Sequence, residues 1–212
     1  PDENVIMLAN PAVIVVAPEV FSDVGYDPVK DFAAISLVAG FRFGLAVSPQ
    51  AGVQQASDLA QWVKTHPDAF NVGVPGTGSL PHFFALMLAQ NLGAEAQVIG
   101  YRGSAPLVTD LIGGQVPLAI DTLDSQMPQH KGGRLRVLAS SGESREADLP
   151  DVPTFREVGI DVVADGWFGF FASAAMPESR RQALSEAVTT AMREPALQQS
   201  LRDMGYQPLV QS

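Results

Sequence analysis

The stretch Phe70-Asn71-Val72-Gly73-Val74-Pro75-Gly76-Thr77-Gly78-Ser79-Leu80-Pro81-His82 sets a short apolar strand, a glycine-rich turn and a helix start side by side. Its spacing predicts a strand over 70–74 and a helix over 79–92, with Ser79 as N-cap and Pro81 in the first helical turn. Downstream the alternation repeats. A strand is expected at 97–101, a helix at 104–112 stopped by Gly113-Gly114, and further strands at 116–120 and 135–139. Upstream, a helix carries Trp62 on its apolar face. Strands alternating with helices of this length imply βαβ crossovers and a mostly parallel sheet with helices on both faces, so the fold class is α/β.

The flanks read differently. Val5-Ile6-Met7-Leu8-Ala9 is a short apolar strand ended by Asn10-Pro11, and 21–31 reads as a loop through Gly25, Asp27 and Pro28. Two extended runs are expected at 35–39 and 43–47. Residues 162–172 (VVADGWFGFFA) have no helical period and read as a segment crossing between two lobes. Two amphipathic helices follow. Ala183, Leu184, Ala187, Val188, Ala191 and Met192 make the stripe of the first; Pro195 opens the second, which carries Leu197, Leu201 and Met204 and is capped by Gly205. No repeat of fixed period is present, which excludes solenoids and propellers.

Composition narrows the partners. The 212 residues carry 13 basic and 23 acidic side chains, a net charge of −10, which argues against nucleic acid or an anionic membrane surface. With 46% hydrophobic and 17% charged residues the chain has enough apolar surface for a folded core. Cys is absent, which removes disulfides, thiolate nucleophiles and Cys-based metal sites. The longest apolar stretch, 5–17, is broken by Asn10-Pro11 and falls short of the roughly 20 residues that span a bilayer, so no membrane insertion is expected. Because the first basic residue is Lys30, no secretory signal is expected within this sequence.

The turn Gly76-Thr77-Gly78-Ser79 suits an anion. Glycines allow close backbone approach, the helix start offers unpaired N–H groups, and Thr77 and Ser79 add hydroxyls. The alternative is a well-capped turn without a ligand. A Walker A loop needs a Lys after its last Gly, and a dinucleotide fingerprint begun at Gly76 meets Pro81 where it needs Gly, so nucleotides are disfavoured and no cofactor is expected. Ser79, His82 and Asp121 are the residue types of a hydrolase triad. However, no G-x-S-x-G elbow surrounds Ser79, and Ser79 and His82 share one helical turn, so a Ser-dependent hydrolase is the least favoured reading. His66, His82 and His130 lack metal-ligand spacing, and no metal site is expected. Asp121, at the end of a strand, is either a partner for an amine, hydroxyl or bridging water, or a cap for the next helix. Arg102 reads as solvent-facing, and Trp167 either walls a cleft or simply packs.

Taken in order, Tyr26-Asp27-Pro28-Val29-Lys30-Asp31-Phe32, Gly76-Thr77-Gly78-Ser79 with His82, Tyr101-Arg102-Gly103-Ser104, Asp110 to Val116 and Asp121 resemble the Bug-type substrate-binding proteins of tripartite tricarboxylate transporters. Gly133-Arg134-Leu135-Arg136-Val137-Leu138-Ala139, Leu149-Pro150-Asp151-Val152-Pro153-Thr154 and Trp167-Phe168-Gly169 extend the resemblance along the chain. It implies a type II periplasmic-binding-protein-like fold: two α/β lobes joined by two crossing strands, with no enzyme activity. Lobe 1 would comprise 1–46 and 166–212, and lobe 2 would comprise 47–165. The resemblance further implies a periplasmic receptor that takes a small carboxylate (a di- or tricarboxylate, an acidic amino acid or an aromatic acid) and hands it to membrane permease subunits. Thr77, Gly78, Ser79, His82 and Asp121 would be its ligand-binding residues. A sensory or interaction protein on the same fold is the alternative. Since family members begin with a signal peptide and a first strand running into a Pro-Gly-Gly loop, the resemblance also places the start of this sequence inside lobe 1, with the N-terminal part of that lobe missing.

Overall fold

The computed structural model of the chain describes residues 5–211. These fall into two compact units. One runs up to Phe41 and resumes at Gly166; the other is the continuous stretch Arg42–Asp165.

In the first unit, β1 (Ile6–Ala9) ends where the Asn10 side chain accepts the Ala12 N–H at 3.0 Å. Pro11, which has no N–H to leave unpaired, then opens a π-helical turn that runs into α1 (Ala17–Val20). A loop leads to β2 (Phe32–Val47). The two extended runs expected at 35–39 and 43–47 are thus a single 16-residue strand. Gly40 and Arg42 interrupt the apolar run without breaking the backbone, because the strand changes partners between them and Phe43.

The second unit opens with α2 (Leu59–Thr65) and continues through β3 (Asn71–Val74), α3 (Leu80–Asn91), β4 (Gln97–Gly100) and α4 (Ser104–Ile112). It then passes through β5 (Leu118–Thr122), α5 (Leu123–Lys131) and β6 (Arg136–Ser140). Strand β3 lies parallel to both β4 and β5, whereas β2 is antiparallel to β5 and to β6. The expectation of a mostly parallel sheet therefore holds across β3, β4 and β5 and gives way at β2, which enters without a helical crossover.

Both faces of this sheet are covered, which explains the near-continuous apolar reading of its strands. Phe43 and Leu45 of β2 point to one face, where the Phe43 ring lies 5.8 Å from Phe84 of α3 and Phe84 meets Phe155 edge-on at 5.3 Å. Ala46 points the other way, into a core with Leu107 and Leu111 of α4, Leu123 of α5 and Val137 of β6. Each fully buried Phe or Leu here is worth roughly 1.5–3 kcal/mol. Gly44 lies on this second face, where a Cβ would collide with Gln126 Oε1 and sit 2.7 Å from Leu123 Cδ2.

The chain leaves the second unit at β7 (Asp165–Ser173) and finishes with α6 (Glu178–Met192), α7 (Pro195–Asp203) and β8 (Gln207–Gln211). In the first unit β7 pairs antiparallel with β1 and neighbours β2, while β8 pairs antiparallel with β2 over Leu37–Gly40. Helices α6 and α7 pack against β8. One cluster of its core is Ile35, Ala172 and Met176, with Phe170 and Leu184 beside them, and Ala9, Val38, Phe41 and Met192 are buried as well. The two ends of the second unit are tied together, since Arg42 Nε lies 3.3 Å from Asp165 Oδ1 and Arg42 Nη1 lies 2.6 Å from Glu146 Oε1.

Candidate functional site

Because β3, β4 and β5 run parallel, their carboxyl ends share one sheet edge, and α3, α4 and α5 all start from it. First-turn N–H groups have no intrahelical partner, so this edge gathers three sets of unpaired donors and three positive dipole ends. Open α/β sheets place their ligands at such an edge.

The turn before α3 is held by its own side chains. Ser79 Oγ donates to Gly76 O at 2.7 Å and accepts the His82 N–H at 3.4 Å, fixing the helix start. Gly78 takes φ +77°, and its N–H donates to His82 Nδ1 at 2.9 Å. The imidazole therefore has its Nδ1 lone pair on the backbone and is not the base of Ser79, which disposes of a Ser–His nucleophile pair. In the turn as it stands the Ser79 proton goes to Gly76 O. What remains open is the exposed Thr77 hydroxyl and the Leu80 N–H, neither of which has a protein partner among the described residues.

The second loop is tied to the first. Tyr101 N–H donates to Val74 O and Gly103 N–H to Pro75 O, both at 2.8 Å, while Gly100 lies so close to Thr77 that a Cβ there would strike Thr77 Oγ1. Gly103, at φ +99°, turns the chain into Ser104 at the start of α4. Asp121 closes the arrangement from β5. Asp121 Oδ1 accepts the Thr122 N–H at 2.8 Å. Asp121 Oδ2 has no hydrogen bond, although the residue is only 1% exposed. Burial raises its pKa above the ordinary carboxylate value, and the hydrogen bond from the Thr122 N–H opposes that shift.

The structure thus brings Thr77, Gly78, Ser79 and His82 into one turn after β3 and places Asp121 near the end of β5, the strand that pairs with β3. Arg102 is exposed, and Trp167 lies in the other unit, 6.1 Å from the Phe171 ring. Sequence reasoning did not single out Ser104, although its Gly-Ser step into a helix repeats that of Gly78-Ser79. It also missed Gln126 Oε1 and Ser140 Oγ, which are buried and unpartnered. Gln126 Nε2 donates to Gly44 O at 3.1 Å, and Gly44 stands in register between Asp121 and Ser140. Among the described residues, no cluster of His, Cys, Asp or Glu is placed to hold a metal, and no helix is long and apolar enough to cross a membrane.

An α/β unit with its helix starts gathered on one sheet edge is the architecture of the periplasmic binding proteins, and the chain shares that fold. Residues 1–212 match the TctC family, the tripartite tricarboxylate transporter family receptor, and the chain belongs to it. A UPF0065 protein of Bordetella bronchiseptica is 32% identical over 205 residues, covering 97% of this chain and 61% of that protein. MatC from Rhodopseudomonas palustris with bound malate superposes with a TM-score of 0.85 at 27% identity, over 98% of this chain and 71% of that one. A second R. palustris protein, with adipate, gives a TM-score of 0.88 at 27% identity, over 96% and 68%. The chain spans 56 to 61% of the length of curated relatives from Agrobacterium vitis, Cupriavidus necator and B. bronchiseptica.

Proposed function

We propose that this chain is the solute-binding receptor of a tripartite tricarboxylate-type transporter, working in the periplasm and delivering a small carboxylate to membrane permease subunits. Its two compact units stand for the two lobes of such a receptor. The observation that carries the reading is the sheet edge where α3, α4 and α5 begin, with Leu80 N–H and the Thr77 hydroxyl unpartnered and Asp121 Oδ2 buried without a donor. Amide dipoles can hold a carboxylate in a protein of net charge −10, where the overall field opposes any anion.

The roles divide by chemistry. Gly78 and Ser79 hold the turn, His82 pins it, and Thr77 with the amides at the start of α3 meets the carboxylate. Asp121 Oδ2 accepts a hydrogen bond from a hydroxyl, an acid proton or a bridging water of the same ligand. The relatives with malate and adipate support a dicarboxylate or hydroxyacid as its class.

A thermal-shift series with malate, adipate, citrate and aspartate tests this. A ligand at about 100 times its Kd stabilises by roughly 2.7 kcal/mol, a shift of several degrees for a chain of this size. Gly78→Val, which puts a β-branched side chain at positive φ in the turn, is expected to abolish the response. No response to any of the four acids, or an undiminished response in Gly78→Val, overturns the assignment.

A further inference from the structure

The second unit has another cavity, at the opposite end of its sheet. Strand β2 is antiparallel to β5 and β6, so Val47, paired with Leu118 and Arg136, lies at the far edge from Gly44, paired with Asp121 and Ser140. Three residues of extended strand separate the two rows by about 10 Å. At this far edge an open cleft of about 650 Å³ lies between the 48–57 loop, the start of β6 and the 145–158 segment. That volume is in the range of small-molecule pockets.

Its floor is apolar: Val47, Val53, Leu135 and Val152 line it and are all buried. Its rim is rich in donors. Arg136, which is exposed, donates from Nη1 to Gln54 O at 3.1 Å and pairs with no carboxylate among the described residues. Arg145 is held by both carboxylate oxygens of Glu157, each at 3.0 Å, and by Pro150 O. His130 Nδ1 accepts the Val137 N–H at 3.1 Å, which leaves Nε2 as the ring's N–H donor. Burial first, then Arg136 and Lys131, lower the His130 pKa, and Asp151 opposes them. The cleft thus sets a guanidinium with no carboxylate partner among the described residues beside an apolar floor, with Asp151 also among its lining residues.

We infer that this cleft is a second ligand site, which takes an organic acid carrying one carboxylate on an apolar body. The carboxylate lies against Arg136, with His130 Nε2–H as the neighbouring donor, and the apolar body covers Val47, Val53 and Val152. A phosphate or tricarboxylate would leave charge facing that floor, and a folded partner would need far more surface than the cleft offers. The site is separate from the edge bearing Asp121 and does not depend on the role proposed for that edge.

Phenylacetate titrated into the isotope-labelled chain and followed by its amide resonances tests this. Saturable shifts are expected at 54–57 and 135–138. Arg136→Gln is expected to weaken them at least tenfold, and Ser57→Trp, which fills the cleft from an exposed position, to remove them. Gly78→Val is expected to leave them intact. Shifts confined to 76–82, an unchanged midpoint in Arg136→Gln, retained binding in Ser57→Trp, or no saturable shift at all would each overturn the site. Malate run in parallel reports on the Gly76 turn independently, so either site can fail without the other.

Discussion

The two units bury their apolar residues very differently. In the second, Phe70, Phe84, Phe155, Leu45, Leu88, Leu107 and Ile120 are all at or below 1% exposure. In the first, Ile6, Leu8, Val13, Val15, Val20, Phe21 and Val29 range from 38% to 86% exposed. The contrast follows from the sheets. The second unit has helices over both faces of parallel strands, whereas the first joins antiparallel strands, with Ile35, Val38, Phe41, Ala172, Met176 and Met192 among its buried apolar residues. The turn proposed for the carboxylate belongs to Arg42–Asp165, the unit that holds these deeply buried side chains.

The largest expected effect is at the Phe43–Phe84–Phe155 cluster. Phe84→Ala removes a ring that is 1% exposed and is expected to cost about 3–5 kcal/mol, whereas Phe21→Ala, at 57% exposure, is expected to stay within about 0.5 kcal/mol. Urea unfolding of the two variants checks this, and comparable losses would break the contrast. Gly44→Ala comes next, at about 1–3 kcal/mol, because the new methyl has nowhere to go between Gln126 and Leu123. A neutral outcome in the same assay would mean that α5 can move away from β2.

Asp121 gives a pH-dependent test. Its folded pKa is raised by burial, so the folded state holds this proton more tightly than the unfolded chain does. Its contribution is accordingly most favourable below the ordinary carboxylate pKa and declines as pH rises toward the raised value. Asp121→Asn is expected to raise the melting temperature of the unliganded chain at pH 7, with the gain fading as pH falls into the ordinary carboxylate range. A gain that grows on acidification would reverse the assignment. The smallest effect belongs to the first unit: Lys30 and Asp27 meet at 2.6 Å with side chains 82% and 39% exposed, and Lys30→Ala is expected to leave the melting temperature unchanged.

Legibility followed the same division. Helix α4 occupies its expected span, 104–112, because Gly103 and Gly113-Gly114 punctuate it from both sides. Strand β5 lies two residues later than expected. Val116-Pro117 looks like strand, but Pro117 only accepts a bond from Ser48 N–H, and pairing with β2 carries the strand on through Asp121 and Thr122. In the first unit β8 has no counterpart in the sequence reading, since Gln207-Pro208-Leu209-Val210-Gln211 is half polar and includes a Pro that only an edge strand tolerates. At the candidate site, residue types were readable and proton positions were not. Nothing in Gly76-Thr77-Gly78-Ser79 announces that the serine proton goes to Gly76 O, or that a buried Asp121 oxygen is left without a donor.

The ion pair that joins Arg42 to Asp165 has a consequence for how such a chain is assembled over generations. A continuous segment whose first and last residues meet can be lifted out of one gene and set into a loop of another without stretching either host strand. Arg42–Asp165 meets that condition at its ends, although its first residue lies inside β2, so a graft of this unit has to carry the rest of that strand with it.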